Sequence, residues 1–328
     1  MVAGVNLTAL FAPPSQAEML DVLAEWAARD TSARDVIVEA TVPLSLGSLD
    51  VTAWVVSHTV GGLRHYGAIF VPDGAAAASL AVLVYSHGGD RGVDVDDVLP
   101  VLPVFLANEL DDYVIVIPSF RAETLTFNGV DYVSDGPPSP WDRDVDDALA
   151  LLNVVEQTTP EADMSRVGVL GFSRGACVGL LMGIRDPRID LVVEFFGPTD
   201  FFGPFVQQVA EEMLLGQPPG LPGVDWLDQA LMQPLKNGQL TIDDVRLEIL
   251  RRSPIYFADR LPDVQVHHGT ADTIVPVGEG ERLIDVMVAL GRGPPEFEGY
   301  IYPGAGHDPL SMPLSIPRTL AFLGRLVP

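Results

Sequence analysis

The chain reads as an α/β fold, a mostly parallel central sheet flanked by helices, with a helical cap inserted in its second half. Three features carry this reading. Short apolar runs at Leu83–Tyr85, Tyr113–Ile117, Arg166–Leu170, Leu191–Phe195 and Val264–His268 fit strands buried on both faces, and most are separated by helix-length stretches. A β-branched, glycine-punctuated opening precedes them, and the rhythm breaks over residues 201–252.

In chain order, Ser15–Ala28 places Leu20, Leu23 and Trp26 at helical spacing. Val36–Val42, Val51–Val56 and Tyr66–Val71 then predict an antiparallel start to the sheet, with turns such as Gly61-Gly62. Residues 1–79 are thus a helix followed by antiparallel strands. Asp142–Val155 predicts a helix with Val145, Leu149, Leu152 and Val155 on one face, its first-turn acids complementing the helix dipole. Arg174–Ile184 and Gly278–Leu290 are further helices. Between 201 and 252, a Pro/Gly-rich stretch from Gly216 to Gly223 parts two helical patterns, which predicts a cap over the C-terminal edge of the sheet. With no repeat and no long linker, residues 1–328 are expected to form a single domain.

Composition removes several function classes. The 328 residues carry 19 Lys+Arg against 45 Asp+Glu, a net charge of −26, so a nucleic-acid partner is disfavoured. The 48% hydrophobic and 20% charged content excludes a disordered chain. No run approaches the length of apolar sequence that spans a bilayer, so no membrane span is expected. Lys236 is the only lysine, which rules out a phosphate-binding loop ending in Lys-Ser or Lys-Thr. An acid-rich, lysine-poor surface suits solubility in high salt, and the codon bias of a GC-rich genome yields the same composition; both readings stay open. Cys177 stands alone, so no internal disulfide forms and the compartment is not revealed. Met1–Ala12 has no Lys or Arg before its apolar stretch, which favours the cytoplasm over secretion with a leader removed.

The most informative run is Gly171-Phe172-Ser173-Arg174-Gly175, which closes an apolar strand and opens a helix. A nucleophilic serine on a sharp strand-to-helix turn needs small flanking residues, because a Cβ there collides with strand or helix. The turn lifts Ser173 above the sheet and aims the Arg174 backbone N–H at the same spot. A serine needs a base, and in this architecture acid and histidine follow the nucleophile in the chain. His267 and His268 fall inside a strand-like run. His307 lies in the glycine-rich loop Tyr302–Pro309, free to reach a serine above the sheet. Asp272, on a turn after a strand and between Ser173 and His307, is the expected partner of the imidazole; Asp200 and Asp308 are reserves. After the strand at Leu83, His87-Gly88-Gly89 forms a loop whose N–H groups can approach a carbonyl oxygen. The oxyanion donors are assigned to the N–H of Gly89 and Arg174, with Gly88 a weaker candidate, and His87 orients the loop. Phe120, Phe172, Phe201 and Phe202 are pocket candidates.

With these segments in this order, the chain resembles the α/β-hydrolase superfamily, specifically the catalytic domains of its prolyl-oligopeptidase-like and dienelactone-hydrolase-like branches. The resemblance runs from roughly Leu80 to Leu326. It includes Trp141-Asp142-Arg143-Asp144-Val145-Asp146-Asp147 ahead of the helix before the serine turn, and Arg252-Ser253-Pro254-Ile255-Tyr256 before Gly269-Thr270-Ala271-Asp272. It implies a serine hydrolase working through an acyl-enzyme, with no metal or organic cofactor. The departures bear on substrate. The peptidases of this group carry a propeller before the catalytic domain, and only about 80 residues precede the first parallel strand here. Dienelactone hydrolases use a cysteine nucleophile, whereas Ser173 holds that place and Cys177 sits a turn into the helix. The loop Gly88-Gly89-Asp90 differs from the triple glycine of the hormone-sensitive-lipase-like esterases.

The expected activity is hydrolysis of short- to medium-chain carboxylic esters, with a small-molecule ester as partner. The alternative is a propeller-less serine peptidase or amidase with the same triad. A non-catalytic binding module would require a broken triad, and no member is missing.

Overall fold

The computed structural model describes residues 1–327. Its strands are β1 (Arg34–Leu46), β2 (Leu49–Val60), β3 (Leu63–Pro72), β4 (Leu80–Ser86), β5 (Val93–Asp94), β6 (Tyr113–Pro118), β7 (Thr124–Phe127), β8 (Val130–Val133), β9 (Ala162–Phe172), β10 (Ile189–Phe195), β11 (Asp263–Gly269) and β12 (Phe297–Tyr302). Nine of them form one sheet in the order β1-β2-β3-β6-β4-β9-β10-β11-β12, and β5, β7 and β8 form a small second sheet. The β1, β2, β3 and β6 neighbours are antiparallel. From β6 to β12 every pair is parallel. Gly61 and Gly62, with φ of 58° and 81°, make the two-residue β2–β3 turn, in which both positions require positive φ.

Both faces of the parallel half are covered. Val82 and Val84 of β4, Val167 and Val169 of β9, and Val192 of β10 join one apolar layer, which the helices Arg143–Thr158 and Arg174–Arg185 cover. The alternate residues Leu83, Leu170, Phe172, Val193 and Phe195 join the other, closed by the C-terminal helix Ser315–Leu323. A period of two with burial on both sides is why these strands read as continuous apolar runs. No helix of the described residues is long and apolar enough to cross a membrane.

The chain runs from β4 to β6 on one side and later returns to place β9 on the other side of β4. The order of strands therefore reverses around β4, and loops at the carboxyl ends of β4 and β9 open a crevice, the usual place for a site in such sheets. Residues 201–252 lie between β10 and β11 and contain the helices Pro204–Leu214, Val224–Leu227 and Ile242–Leu250. The helix Gln16–Ala28 starts with a Ser15–Glu18 capping box and packs on this segment. Arg246 pairs with Glu18 at 2.6 Å, Arg251 pairs with Glu25, and Trp26 meets Phe257 with ring centroids 4.9 Å apart.

The acids that open the helix Arg143–Thr158 do more than face its dipole. Asp142, Asp144, Asp146 and Asp147 are all buried, and each binds an arginine from another element: Arg29, Arg174, Arg185 and Arg121 respectively. Charges taken from water are tolerated only when paired in this way.

Glu194 of β10 is fully buried; Oε2 accepts from Gly197 N at 2.9 Å, and Oε1 has no partner among the described residues. Burial pushes its pKa from 4.5 up to about 8, against the pull of that amide. A carboxyl whose folded pKa is raised costs nothing while protonated in both states and destabilises progressively as pH rises from the unfolded to the folded pKa. Glu194→Gln should therefore match the wild-type Tm at pH 4.5 and exceed it by several degrees at pH 9, as scanning calorimetry would record.

Candidate active site

β9 ends at Phe172, the helix Arg174–Arg185 begins two residues on, and Ser173 between them has φ 53° and ψ −118°. A non-glycine residue in that region costs on the order of 1–3 kcal/mol, so its surroundings must hold it. Ser173 N donates to Phe195 O at 2.9 Å, which ties the turn to β10. The glycines of the motif are required by contact. A Cβ at Gly171 would lie 2.5 Å from Gly175 O, and one at Gly175 would lie 2.0 Å from Ser86 O and 2.5 Å from His87 O. The helix start thus presses on the end of β4. As a first helical residue, Arg174 has a backbone N–H without an intrahelical acceptor.

The loop after β4 runs past the serine. A Cβ at Gly88 would stand 3.1 Å from both Ser173 Cβ and Phe172 O, and Gly89 takes φ +77°. His87 is buried, stacks on Phe120 at 4.6 Å, and donates from Nδ1 to Gly88 O at 3.0 Å, so it does orient the loop. Burial lowers its pKa to about 4, which keeps the ring neutral at pH 7.

Asp272 and His307 come from the loops after β11 and β12, and hydrogen bonds zip those loops together. Ala271 N donates to Ala305 O at 2.8 Å, and Gly304 N donates to Thr270 Oγ1 at 2.8 Å. His307 Nδ1 donates to Asp272 Oδ2 at 2.7 Å, which leaves the lone pair on Nε2. Asp272 Oδ1 accepts from the N–H of Ile274 at 2.8 Å and of Val275 at 2.9 Å. Burial alone would raise the Asp272 pKa, but the His307 bond and these two amides outweigh it and hold it below the usual carboxylate range. Phe196 packs on the His307 ring at 4.1 Å. Ser173, Ile274 and Val275 line one cavity, which brings the serine turn and the Asp272 turn to a common space.

The other acids and histidines have partners of their own, and one of them, His268, stands beside the Asp272–His307 pair with Nε2 3.6 Å from Asp272 Oδ2. Asp200 accepts from Phe202 N and Tyr256 OH and pairs with Arg282, while Asp308 caps the short turn at Leu310. His267 bonds Tyr302 OH and Gln265, and His268 donates to Val275 O, both fully buried. Of the four pocket phenylalanines, only Phe201 lines the cavity beside Ser173. Phe172 points to the opposite face, against Tyr85, Phe105 and Phe195. Phe120 is buried beneath His87 and Arg174, and Phe202 packs against Tyr256 and Arg246. The cavity measures about 50 Å³; Phe205, Val206, Val209, Leu221 and Leu227 from residues 201–252, together with Trp141, form much of its apolar wall.

The side chain of Arg174 was not legible as part of the site. It is buried, donating from Nε to Asp144 Oδ2 at 2.7 Å and from Nη1 to Glu123 and to Gly89 O, the last at 3.1 Å. One guanidinium therefore joins the serine turn, the Gly88-Gly89 loop and the helix Arg143–Thr158. Glu123 is 8% exposed, and burial pushes its pKa up to about 7 against the attraction of Arg174. Among the described residues no group of three or more His, Cys, Asp or Glu side chains is placed to hold a metal ion.

No protein-family model and no curated protein matches the sequence. Solved structures do match in three dimensions. Acetyl xylan esterase 1 from Thermoanaerobacterium sp. JW/SL YS485 superposes with a TM-score of 0.63 at 18% identity over 98% of this chain and 99% of that one. The acetyl xylan esterase from Paenibacillus sp. R4 gives 0.60 at 14% over the same shares. The acylaminoacyl peptidase of Pyrococcus horikoshii gives 0.51 at 16%, with 88% of this chain covering only 39% of that one. Together with the strand order, these likenesses establish the α/β-hydrolase fold.

The contact that shapes the serine turn can be tested. Gly175→Ala forces its Cβ against Ser86 O and should cost roughly 1–3 kcal/mol, lowering Tm by several degrees, whereas Gly220→Ala, with nothing within 4 Å, should stay within about 0.5 kcal/mol in the same melt.

Proposed function

We propose that the chain is a serine carboxylesterase for short acyl esters, working through an acyl-enzyme. The observation that carries this is the hydrogen-bonded Asp272–His307 pair, whose Asp272 turn contributes Ile274 and Val275 to the cavity onto which a conformationally strained Ser173 opens. Ser173 Oγ attacks the ester carbonyl while His307 Nε2 takes its proton, and Asp272 stabilises the imidazolium. The backbone N–H groups of Gly89 and Arg174, with Gly88 as the lesser candidate, receive the oxyanion, and the helix start adds its dipole. His307 then passes the proton to the departing alcohol. Water, activated by the same ring, releases the acid. No metal or cofactor enters any step.

In this reading residues 201–252 are the cap, and the apolar cavity they wall is the acyl pocket. Its apolar lining and small volume of about 50 Å³ fit a short acyl chain. The acetyl xylan esterases among the structural neighbours support a short acyl group; the sugar in their name belongs to those proteins.

Two measurements check this. Turnover of p-nitrophenyl acetate and butyrate should exceed that of octanoate by at least tenfold, with palmitate inert and aminoacyl-p-nitroanilides slower still. Ser173→Ala should abolish hydrolysis, and Asp272→Asn should lower kcat by on the order of 10³–10⁴ with KM little changed. Equal rates on acetate and octanoate would contradict the pocket assignment, and an active Ser173→Ala would contradict the nucleophile.

A further inference from the structure

His268 stands beside the Asp272–His307 pair and takes no part in the steps set out above. We infer that it is a positioning residue for Asp272, holding the carboxylate in the orientation in which it serves His307. The inference rests on the esterase reading above and deepens it.

Geometry is the first reason. His268 is the penultimate residue of β11 and is fully buried. Its Nε2 donates to Val275 O at 2.8 Å and lies 3.6 Å from Asp272 Oδ2, the oxygen that His307 Nδ1 binds at 2.7 Å. Val275 is therefore fixed on both sides: its N–H donates to Asp272 Oδ1 at 2.9 Å, and its C=O accepts from His268. The terminal torsion of an aspartate is broad, so the plane of its carboxylate must be set by its partners. Here both oxygens depend on the imidazole, Oδ1 through the Val275 amide and Oδ2 by direct approach.

Charge is the second. Burial lowers the His268 pKa, outweighing the pull of Val275 O and of Asp272, so the ring is neutral at pH 7. Its approach to Oδ2 is therefore dipolar and not an ion pair. A cation in this place would compete for the same oxygen with the imidazolium that His307 becomes during turnover. A neutral N–H aligns the carboxylate without that competition.

The third is that packing alone does not call for a histidine here. Nδ1 is buried with no hydrogen-bond partner among the described residues, and an orphaned polar atom costs stability. A leucine would fill similar space without stranding a nitrogen. Room for the ring comes from Gly280 of the helix Gly278–Ala289, where a Cβ would lie 2.8 Å from Nδ1 and 2.9 Å from the His268 Cβ. The neighbouring His267, which points to the other face of β11, gives the contrast: both of its ring nitrogens are bonded, to Tyr302 OH and to Gln265.

The test uses His268→Leu, which removes the donor, and His268→Gln, whose amide reaches as far as Nε2 and keeps it. Two readouts are taken on each folded variant: kcat and KM on p-nitrophenyl acetate, and the downfield proton resonance of His307 Nδ1–H, which reports its bond to Asp272. His268→Leu should lower kcat roughly tenfold to a hundredfold with KM within about twofold, and should broaden or abolish the resonance. His268→Gln should recover most of both. Where His268→Leu fails to fold, His268→Asn, too short to reach Val275 O, takes its place with the same expected losses. A resonance unchanged in the folded His268→Leu or His268→Asn variant overturns the inference whatever the activity. So does a His268→Gln variant that loses as much as His268→Leu. If the wild type turns over no ester, the resonance still decides: its loss in His268→Leu and recovery in His268→Gln retain the positioning role and overturn the esterase reading alone.

Discussion

The site depends on one close contact, the first turn of the helix Arg174–Arg185 against the carboxyl end of β4. Gly175 touches the Ser86 and His87 carbonyls without room for a methyl group. That approach shortens the path between β9 and the helix, so the one residue bridging them takes positive φ and projects its hydroxyl out of the sheet. It also brings Gly88 against Ser173, so the proposed nucleophile and the loop proposed to hold the oxyanion are set by the same packing. The strain at Ser173 persists because its N–H is bound to Phe195 O and its neighbour Arg174 is locked into buried ion pairs.

Arg174 extends this dependence into electrostatics. Its backbone follows directly on Ser173, while its side chain binds Glu123, Asp144 and Gly89 O. A guanidinium is suited to this because several donors point in fixed directions and its charge does not titrate. It allows two carboxyls to lie beside the active site without both being exposed to water. The same pairing recurs along the helix Arg143–Thr158, where the four acids near its start reach four arginines, two of them, Arg174 and Arg185, at the two ends of the helix that follows Ser173. For a chain with so few basic residues, placing arginines at buried acids concentrates its positive charge where the fold needs it.

Much of the architecture was legible because local pattern and burial agree. The five apolar runs became β4, β6, β9, β10 and β11, and Ser173, Asp272 and His307 fall where a strand-to-helix turn and two strand-end loops would put them. β12 was missed because Gly299 interrupts its alternation and half of its residues stay partly exposed; Gly299 instead lets Ile284 approach. The small sheet is invisible to periodicity, since β5 has two residues and pairs only through Leu125 and Thr126. Phe172 was a pocket candidate. The two-residue period of β9 sends it to the opposite layer, with Leu170. The acids of Asp142–Asp147 read only as complements to the helix dipole because no local rule reveals an arginine arriving from a distant element.

The most direct measurement is capture of the intermediate itself. The protein is mixed with p-nitrophenyl acetate, quenched within the burst, digested and mapped by mass spectrometry. One acetyl group on the peptide carrying Ser173, rising with the nitrophenol burst and absent after prolonged incubation, is the predicted result. Hydrolysis with no acetyl at Ser173, or with the label on another residue, would contradict the assignment of the nucleophile and the mechanism built on it.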